Sequence, residues 1–382
     1  MDFAFTEEQE AICELAANIF GDLASPELLK AAEDRGDCFH TGLWRKLADT
    51  GLLGVAVPKD FGGQELGIVE LCLILWQQGR SVAPVPVLES LVMGALTLAR
   101  FGSDDQKERW LPGVASGEVI LGAAVSDAVA VDASLPATRA RPEGSGWILD
   151  GVKILVSVAD RANRIVVPAT TPEGRVALFL IDPAAEGIQR DAQEATTGER
   201  RHRLTITNLR ADGLDMIGEP DGLAWDFLLA HGTAGLCVTE LGVVEKALEI
   251  TAGYTTQRKQ FDKAIATFQA VAQRAADAYI DVDAIRLTAW QAVWRLSEGL
   301  PATEEVAIAK FWAAEGGHRA AYACQHLHGG IGVDREYPLH RYYLWSKQIE
   351  LTLGCASSQL AWLGKRIALE EGGSRPPSPS SG

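Results

Sequence analysis

Apolar positions along this chain fall into three textures. Near the start, Thr6 and Gln9 have the form of a helix capping box, and Ile12, Leu15, Ala16 and Ile19 follow at helical spacing. Further helical runs are predicted over Gly42–Ala48, Ile68–Gln78, Leu88–Arg100 and Asp105–Ala115, joined by loops such as VPKDFGGQELG. Residues 1–118 therefore read as an N-terminal all-helical domain. Between 119 and 225 the runs GWILDGVKILV, RIVVPAT, VALFLI and RLTITNL are β-rich and separated by Gly, Pro, Asp and Asn, which predicts a small antiparallel β domain. From 226 to 370 long helical stretches return, broken near GLPATEE and HGGIGVDREYP, as in a bundle of long helices. Residues 371–382 are rich in Gly, Pro and Ser and are expected to form a disordered tail. The predicted class is α+β, in the uncommon order helices, strands, helices.

A chain of 382 residues, 47% of them apolar, has enough material for two or three structural units. No apolar run reaches the roughly 20 residues that span a bilayer. The opening MDFAFTEEQE is acidic where a secretory signal is basic and then apolar, so a cytoplasmic protein with no membrane contact is expected. Thirty-five basic against fifty-one acidic side chains give a net charge of −16. That balance argues against a nucleic-acid surface, and an anionic ligand would need a local basic patch here or on a partner. The six cysteines (Cys13, Cys38, Cys72, Cys237, Cys324, Cys355) are scattered without CxxC spacing. They are expected to be small buried hydrophobes, with no metal site.

Three stretches, in order, carry a resemblance that runs over nearly the whole chain: GSDDQKERWLPGVASGEVILGAAVSD at Gly102–Asp127, RKQFDKAIATFQAV at Arg258–Val271, and HGGIGVDREYPLHRY at His328–Tyr342. Together they resemble the acyl-CoA dehydrogenase family. The resemblance implies that family's fold, an FAD cofactor and an acyl-CoA substrate, with an electron-transfer acceptor downstream. It also implies a chemistry in which a glutamate removes the α-proton while the flavin accepts the β-hydride. In the family the second and third stretches reach across a dimer interface to the pyrophosphate and ADP end of a neighbour's FAD. On that basis Arg258, Phe261, Gln269, His328, Gly329 and Gly330 are the candidate cofactor-binding residues. A guanidinium suits phosphate oxygens, and adjacent glycines let the backbone approach them closely. Taken singly, Arg258 could be a solvated charge and the glycine pair a helix C-cap.

The same resemblance leaves the base unassigned. One family group carries its glutamate late in the chain, where Leu353-Gly354-Cys355 stand here, and another carries it earlier, at Gly232. Neither position can accept a proton, so the chain is expected to hold no catalytic residue of its own. The family's T-E-P-G-A-G-S-D loop, which serves the chain's own flavin, is Ser126-Asp127-Ala128-Val129-Ala130 here, and its W-I-T strand is Leu155-Val156-Ser157. Cys355 and Ser357 stand where threonine and glutamine contact the adenine part, and Thr233 stands where some members have an arginine. Residues that serve a chain's own flavin are replaced, while those offered to a neighbour are kept.

That asymmetry is similar to the non-catalytic subunits of actinobacterial heterotetrameric acyl-CoA dehydrogenases, which act on steroid side-chain CoA thioesters. It implies a catalytic partner subunit and about half a flavin per chain. Two alternatives stay open: a self-sufficient homotetramer whose base has moved to Glu350 or Glu240, and a binding protein on this fold with no flavin.

Overall fold

A computed structural model describes residues 4–36, 39–129 and 135–373, with 370–373 as backbone only. The helical N-terminal part contains α1 (Glu7–Leu23), α2 (Pro26–Asp34), α3 (Thr41–Asp49), α4 (Ile68–Ser81), a π-helical turn over Val87–Leu96 that runs into α5 (Thr97–Phe101), and α6 (Asp104–Ala115). The capping box at the start of α1 forms in both directions: Gln9 N donates to Thr6 Oγ1 at 3.2 Å and Thr6 N to Gln9 Oε1 at 3.0 Å. Helix α2, absent from the sequence reading, starts from a Ser25 cap with Pro26 at its first position.

One eight-stranded sheet follows. Its strands are β1 (Leu121–Ala123), β2 (Arg139–Glu143), β3 (Gly146–Ser157), β4 (Arg164–Thr170), β5 (Val176–Ile181), β6 (Ile188–Glu194), β7 (Arg200–Ala211) and β8 (Met216–Ile217). The spatial order is β6-β7-β3-β2-β4-β5-β8, with β1 beside β4. Most pairings are antiparallel as expected, but β1–β4 and β2–β4 are parallel. Strand β3 has already run back along one edge of β2, so when the chain re-enters as β4 on the other edge it travels in the direction of β2.

The C-terminal part is helical: α7 (Leu223–Gln257), a small hairpin of β9 (Lys259–Gln260) and β10 (Lys263–Ala264), α8 (Gln269–Ser297), α9 (Thr303–His328), α10 (Leu339–Leu351) and α11 (Ala356–Gly373). Helix α11 carries ordered backbone three residues into the stretch 371–382 that was expected to be tail; residues 374–382 lie outside the described residues, as does Cys38. Helix α7 is long and apolar enough to cross a membrane by length and composition, which the sequence reading overlooked, but 83% of its most apolar window is buried inside the fold. It is the axis of the core, in contact with α4, α8, α9 and α10. Helices α4 and α7 cross backbone to backbone. A Cβ at Gly242 would lie 2.2 Å from the Trp76 carbonyl oxygen, so glycine sets the approach. Cys72, Cys237 and Cys324 are buried and Cys13 and Cys355 only partly so.

Candidate functional site

The two positions where the resemblance puts a base are filled core. Gly232 sits in the first third of α7, and a Cβ there would come within 2.6 Å of Met93 Cε and 3.1 Å of its Cγ. The Met93 side chain, projecting from the π-helical turn, occupies the space that a side chain at 232 would need. Leu353, with a left-handed φ of +56°, is buried in the main apolar core. The neighbouring Thr233 is itself buried.

Both relocated-base candidates are placed clearly. Glu350 is held at the end of α10 by Lys347 and by His318, whose Nδ1 lies 3.2 Å from Oε2. Glu240 is wholly buried on α7 and accepts from Ser346 Oγ at 2.6 Å through Oε1, while Oε2 has no partner among the described residues. Burial pushes its carboxyl up to about 8, against the Ser346 hydrogen bond and the charge of Lys310. The α9 backbone closes over it: a Cβ at Gly317 would meet Oε1 at 2.3 Å. The carboxyl is thus enclosed between α7, α9 and α10.

The segments that resemble the family's own-flavin contacts are tied into the sheet. Residues 126–128 run beside β3, with Ala128 N donating to Val152 O at 3.0 Å and Ile154 N to Ser126 O at 2.9 Å. The strap is locked by Lys153 Nζ, 2.8 Å from Asp127 Oδ2, with Thr138 N donating to Oδ1 at 3.0 Å. Burial draws the Lys153 ammonium down to about 8, although Asp127 pulls the other way. Ala130 lies outside the described residues. Leu155 stands half exposed on a β-bulge with φ +55°, a site shaped by backbone and lacking an aromatic wall. Ser157 is buried, and its Oγ has no partner among the described residues. Cys355 has its thiol drawn down to about 7 by hydrogen bonds with Ser357 Oγ (3.2 Å) and Ser358 Oγ (3.3 Å).

Where the N-terminal helices, the sheet and the C-terminal helices meet, a polar clasp closes the seam. Arg201, the second residue of β7, reaches Glu89 Oε1 at 3.3 Å and Glu199 Oε2 at 2.9 Å. Gln348 on α10 donates to the same Glu199 oxygen at 3.2 Å. Burial alone would raise the Glu199 carboxyl, but Arg201 outweighs it and holds it below the ordinary carboxylate range. Neither Met93 nor this clasp was visible in the sequence. A methionine on an apolar helix face and an arginine in an amphipathic strand carry no signal before the chain folds.

The six residues expected to serve a neighbour divide into an exposed set and one buried anchor. Arg258 caps α7 with an exposed guanidinium that makes no ion pair among the described residues. Phe261 and Asp262 form the two-residue tip of the β9–β10 hairpin, both at left-handed φ, and Phe261 is 87% exposed. Gln269 is the exposed first residue of α8. Gly329 ends α9 at φ +63° and ψ −139°, a conformation suited to glycine, and a Cβ at Gly329 or Gly330 would meet nothing within 4 Å. His328 behaves differently. It is 5% exposed, its ring lies 4.4 Å from that of Tyr254 at 19°, and its nitrogens face Cys324 O at 2.8 Å and Tyr337 Oη at 3.2 Å. It faces inward. Tyr254, one turn before Arg258 on α7, was not singled out by the sequence reading.

Comparison with known proteins agrees with the resemblance. The profile of the acyl-CoA dehydrogenase N-terminal domain matches residues 6–118 and that of the C-terminal domain residues 224–368. The chain is 38% identical to the acyl-CoA dehydrogenase FadE27 of Mycobacterium tuberculosis, over 96% of this chain and 99% of that protein. It is 31% identical to FadE28 of the same organism, over 97% and 100%. Among solved structures it is similar to the ChsE4-ChsE5 complex from Mycobacterium tuberculosis (TM-score 0.91, 37% identity, 98% of this chain and 100% of that one). It is similar also to a variant of the Tcur3481-Tcur3483 steroid ACAD (TM-score 0.90, 40% identity, 96% and 99%).

Proposed function

The chain belongs to the acyl-CoA dehydrogenase family, FAD-dependent oxidoreductases acting on a CH–CH bond, and from that premise we propose that it is the non-catalytic subunit of a heteromeric enzyme. The observation that carries this reading is the contrast between its two faces. Both base positions are filled by core (Met93 against Gly232, and Leu353), while Arg258, Phe261, Gln269 and the Gly329–Gly330 turn stand open to a neighbour. The substrate class proposed is an acyl-CoA thioester. A bulky steroid side-chain CoA is favoured by the steroid dehydrogenase among its structural relatives.

The residues present fit one half of a flavin site. When bound in the partner, the flavin supplies hydride acceptance at the β-carbon. This chain would contribute binding: Arg258 would hold the pyrophosphate, the Gly329–Gly330 backbone would let it approach closely, and Phe261 and Gln269 would pack against and hydrogen-bond the cofactor. We place the proton-accepting carboxylate on the partner subunit, since Glu240 is buried and Glu350 is engaged by Lys347 and His318.

Co-expression with the partner and measurement of flavin absorbance against total protein tests this. The expected result is about half a flavin per chain. One flavin per chain with all sites alike would refute it, and a colourless complex would favour a binding protein without flavin.

A further inference from the structure

The cross-chain face is made of two segments far apart in sequence, the arm that begins at Arg258 and the turn at Gly329–Gly330. Each hangs from the end of a long helix, and a helix end frays unless something holds it. Both ends are held by one ring cluster. Tyr254 and His328 lie stacked, at a centroid distance of 4.4 Å and an interplanar angle of 19°. Tyr337 completes the cluster, 5.2 Å from His328 and 6.3 Å from Tyr254. His328 Nδ1 faces Cys324 O at 2.8 Å and Nε2 faces Tyr337 Oη at 3.2 Å, so the ring has partners on both nitrogens. Arg258 N donates to Tyr254 O at 2.8 Å, and His328 is covalently joined to Gly329. The stack is therefore one peptide unit from the turn and one helical hydrogen bond from the arm.

We infer that His328 is a positioning residue that fixes the Arg258 arm and the Gly329–Gly330 turn relative to one another, so that both meet the partner's cofactor as one preformed unit. The inference rests on the cross-chain flavin role proposed above. Burial holds the His328 imidazole below its ordinary value, so the ring is neutral and acts by packing and hydrogen bonding. Preorganisation of this kind spares the ordering cost otherwise incurred on binding.

The test uses the co-expressed complex, deflavinated and titrated with FAD, in four forms: parent, Arg258→Ala, His328→Ala and the double variant. Loss of the charge-assisted phosphate contact in Arg258→Ala weakens FAD binding about tenfold or more. His328→Ala is expected to weaken it about five- to tenfold, and the double variant to be little worse than Arg258→Ala alone, because contacts made by one unit are not additive. Amide exchange over residues 258–268 should quicken in His328→Ala, and His328→Phe, which keeps a ring on Tyr254, should recover most of the affinity. If His328→Ala lowers the melting temperature but leaves the FAD affinity unchanged, or if its effect adds in full to that of Arg258→Ala, the positioning role is refuted while the cross-chain reading stands. If Arg258→Ala itself leaves FAD affinity intact, the cross-chain reading falls and this inference with it. Should His328→Ala fail to assemble, Tyr254→Leu removes the other half of the stack and is read by the same outcomes.

Discussion

Glu240→Gln should make the protein more stable, and by an amount that grows with pH. The folded chain keeps the Glu240 proton up to about pH 8, whereas the ordinary value of 4.5 applies once the chain is unfolded. Below 4.5 the group is neutral in both states and contributes nothing. Between the two values unfolding releases a proton, so stability falls as pH rises, and above about 8 the loss has levelled off. Each unit of the difference is worth about 1.4 kcal/mol, so at pH 7 the charge withheld by burial costs the fold about 3 kcal/mol. Glutamine keeps the acceptor for Ser346 Oγ, and its amide nitrogen takes the place of the unpartnered Oε2. Urea unfolding of parent and variant between pH 4.5 and 8.5 measures the effect. The curves should coincide at the acid end and separate by about 4 kcal/mol at pH 7.5. Parallel curves would refute the claim that this carboxyl is held neutral. A simultaneous collapse of turnover in the flavinated complex would instead make Glu240 the base.

Three further outcomes follow from the same geometry. Glu350→Gln should leave kcat of the assembled complex within about threefold of the parent and stability within about 1 kcal/mol, because its partners are Lys347 and His318 at a partly exposed helix end; steady-state kinetics and thermal melting check both. Arg201→Ala should cost about 3 kcal/mol by denaturant unfolding, since it leaves Glu89 and Glu199 without their cation in the seam; a loss below about 0.5 kcal/mol would mean the clasp is cosmetic. Gly232→Glu should destabilise by about 3 kcal/mol or more, through contact with Met93 and burial of a carboxylate. Part of that loss should return when Met93→Ala is added, and melting curves of the three chains decide it.

What could be read in advance was what depends on local pattern. The Thr6–Gln9 box, the β-rich runs and the His328–Gly330 stretch each announce themselves within a few residues. Helix α2 was missed because it is only nine residues long, too short for its amphipathic pattern to stand out from the flanking chain. Strand β6 was missed for a different reason. It lies at the edge of the sheet with neither face well buried, so Ile188–Glu194 shows no alternation. The parallel pairings depend on the path of the chain, which no window of sequence contains. At the site, Arg258 and the glycine pair were legible because their chemistry resides in single residues. The inward turn of His328 onto Tyr254, the Met93 contact and the Glu89–Arg201 pair are long-range facts, fixed only when elements distant in the sequence are brought together.

The contact between Met93 and Gly232 also works as a one-way step in the history of the sequence. Placing a glutamate at 232 requires Met93 to shrink first, yet shrinking Met93 alone opens a hole in the core, at a cost of about 2–5 kcal/mol. Either change made alone is penalised. Positions 93 and 232 can therefore change only together, although they lie on separate elements.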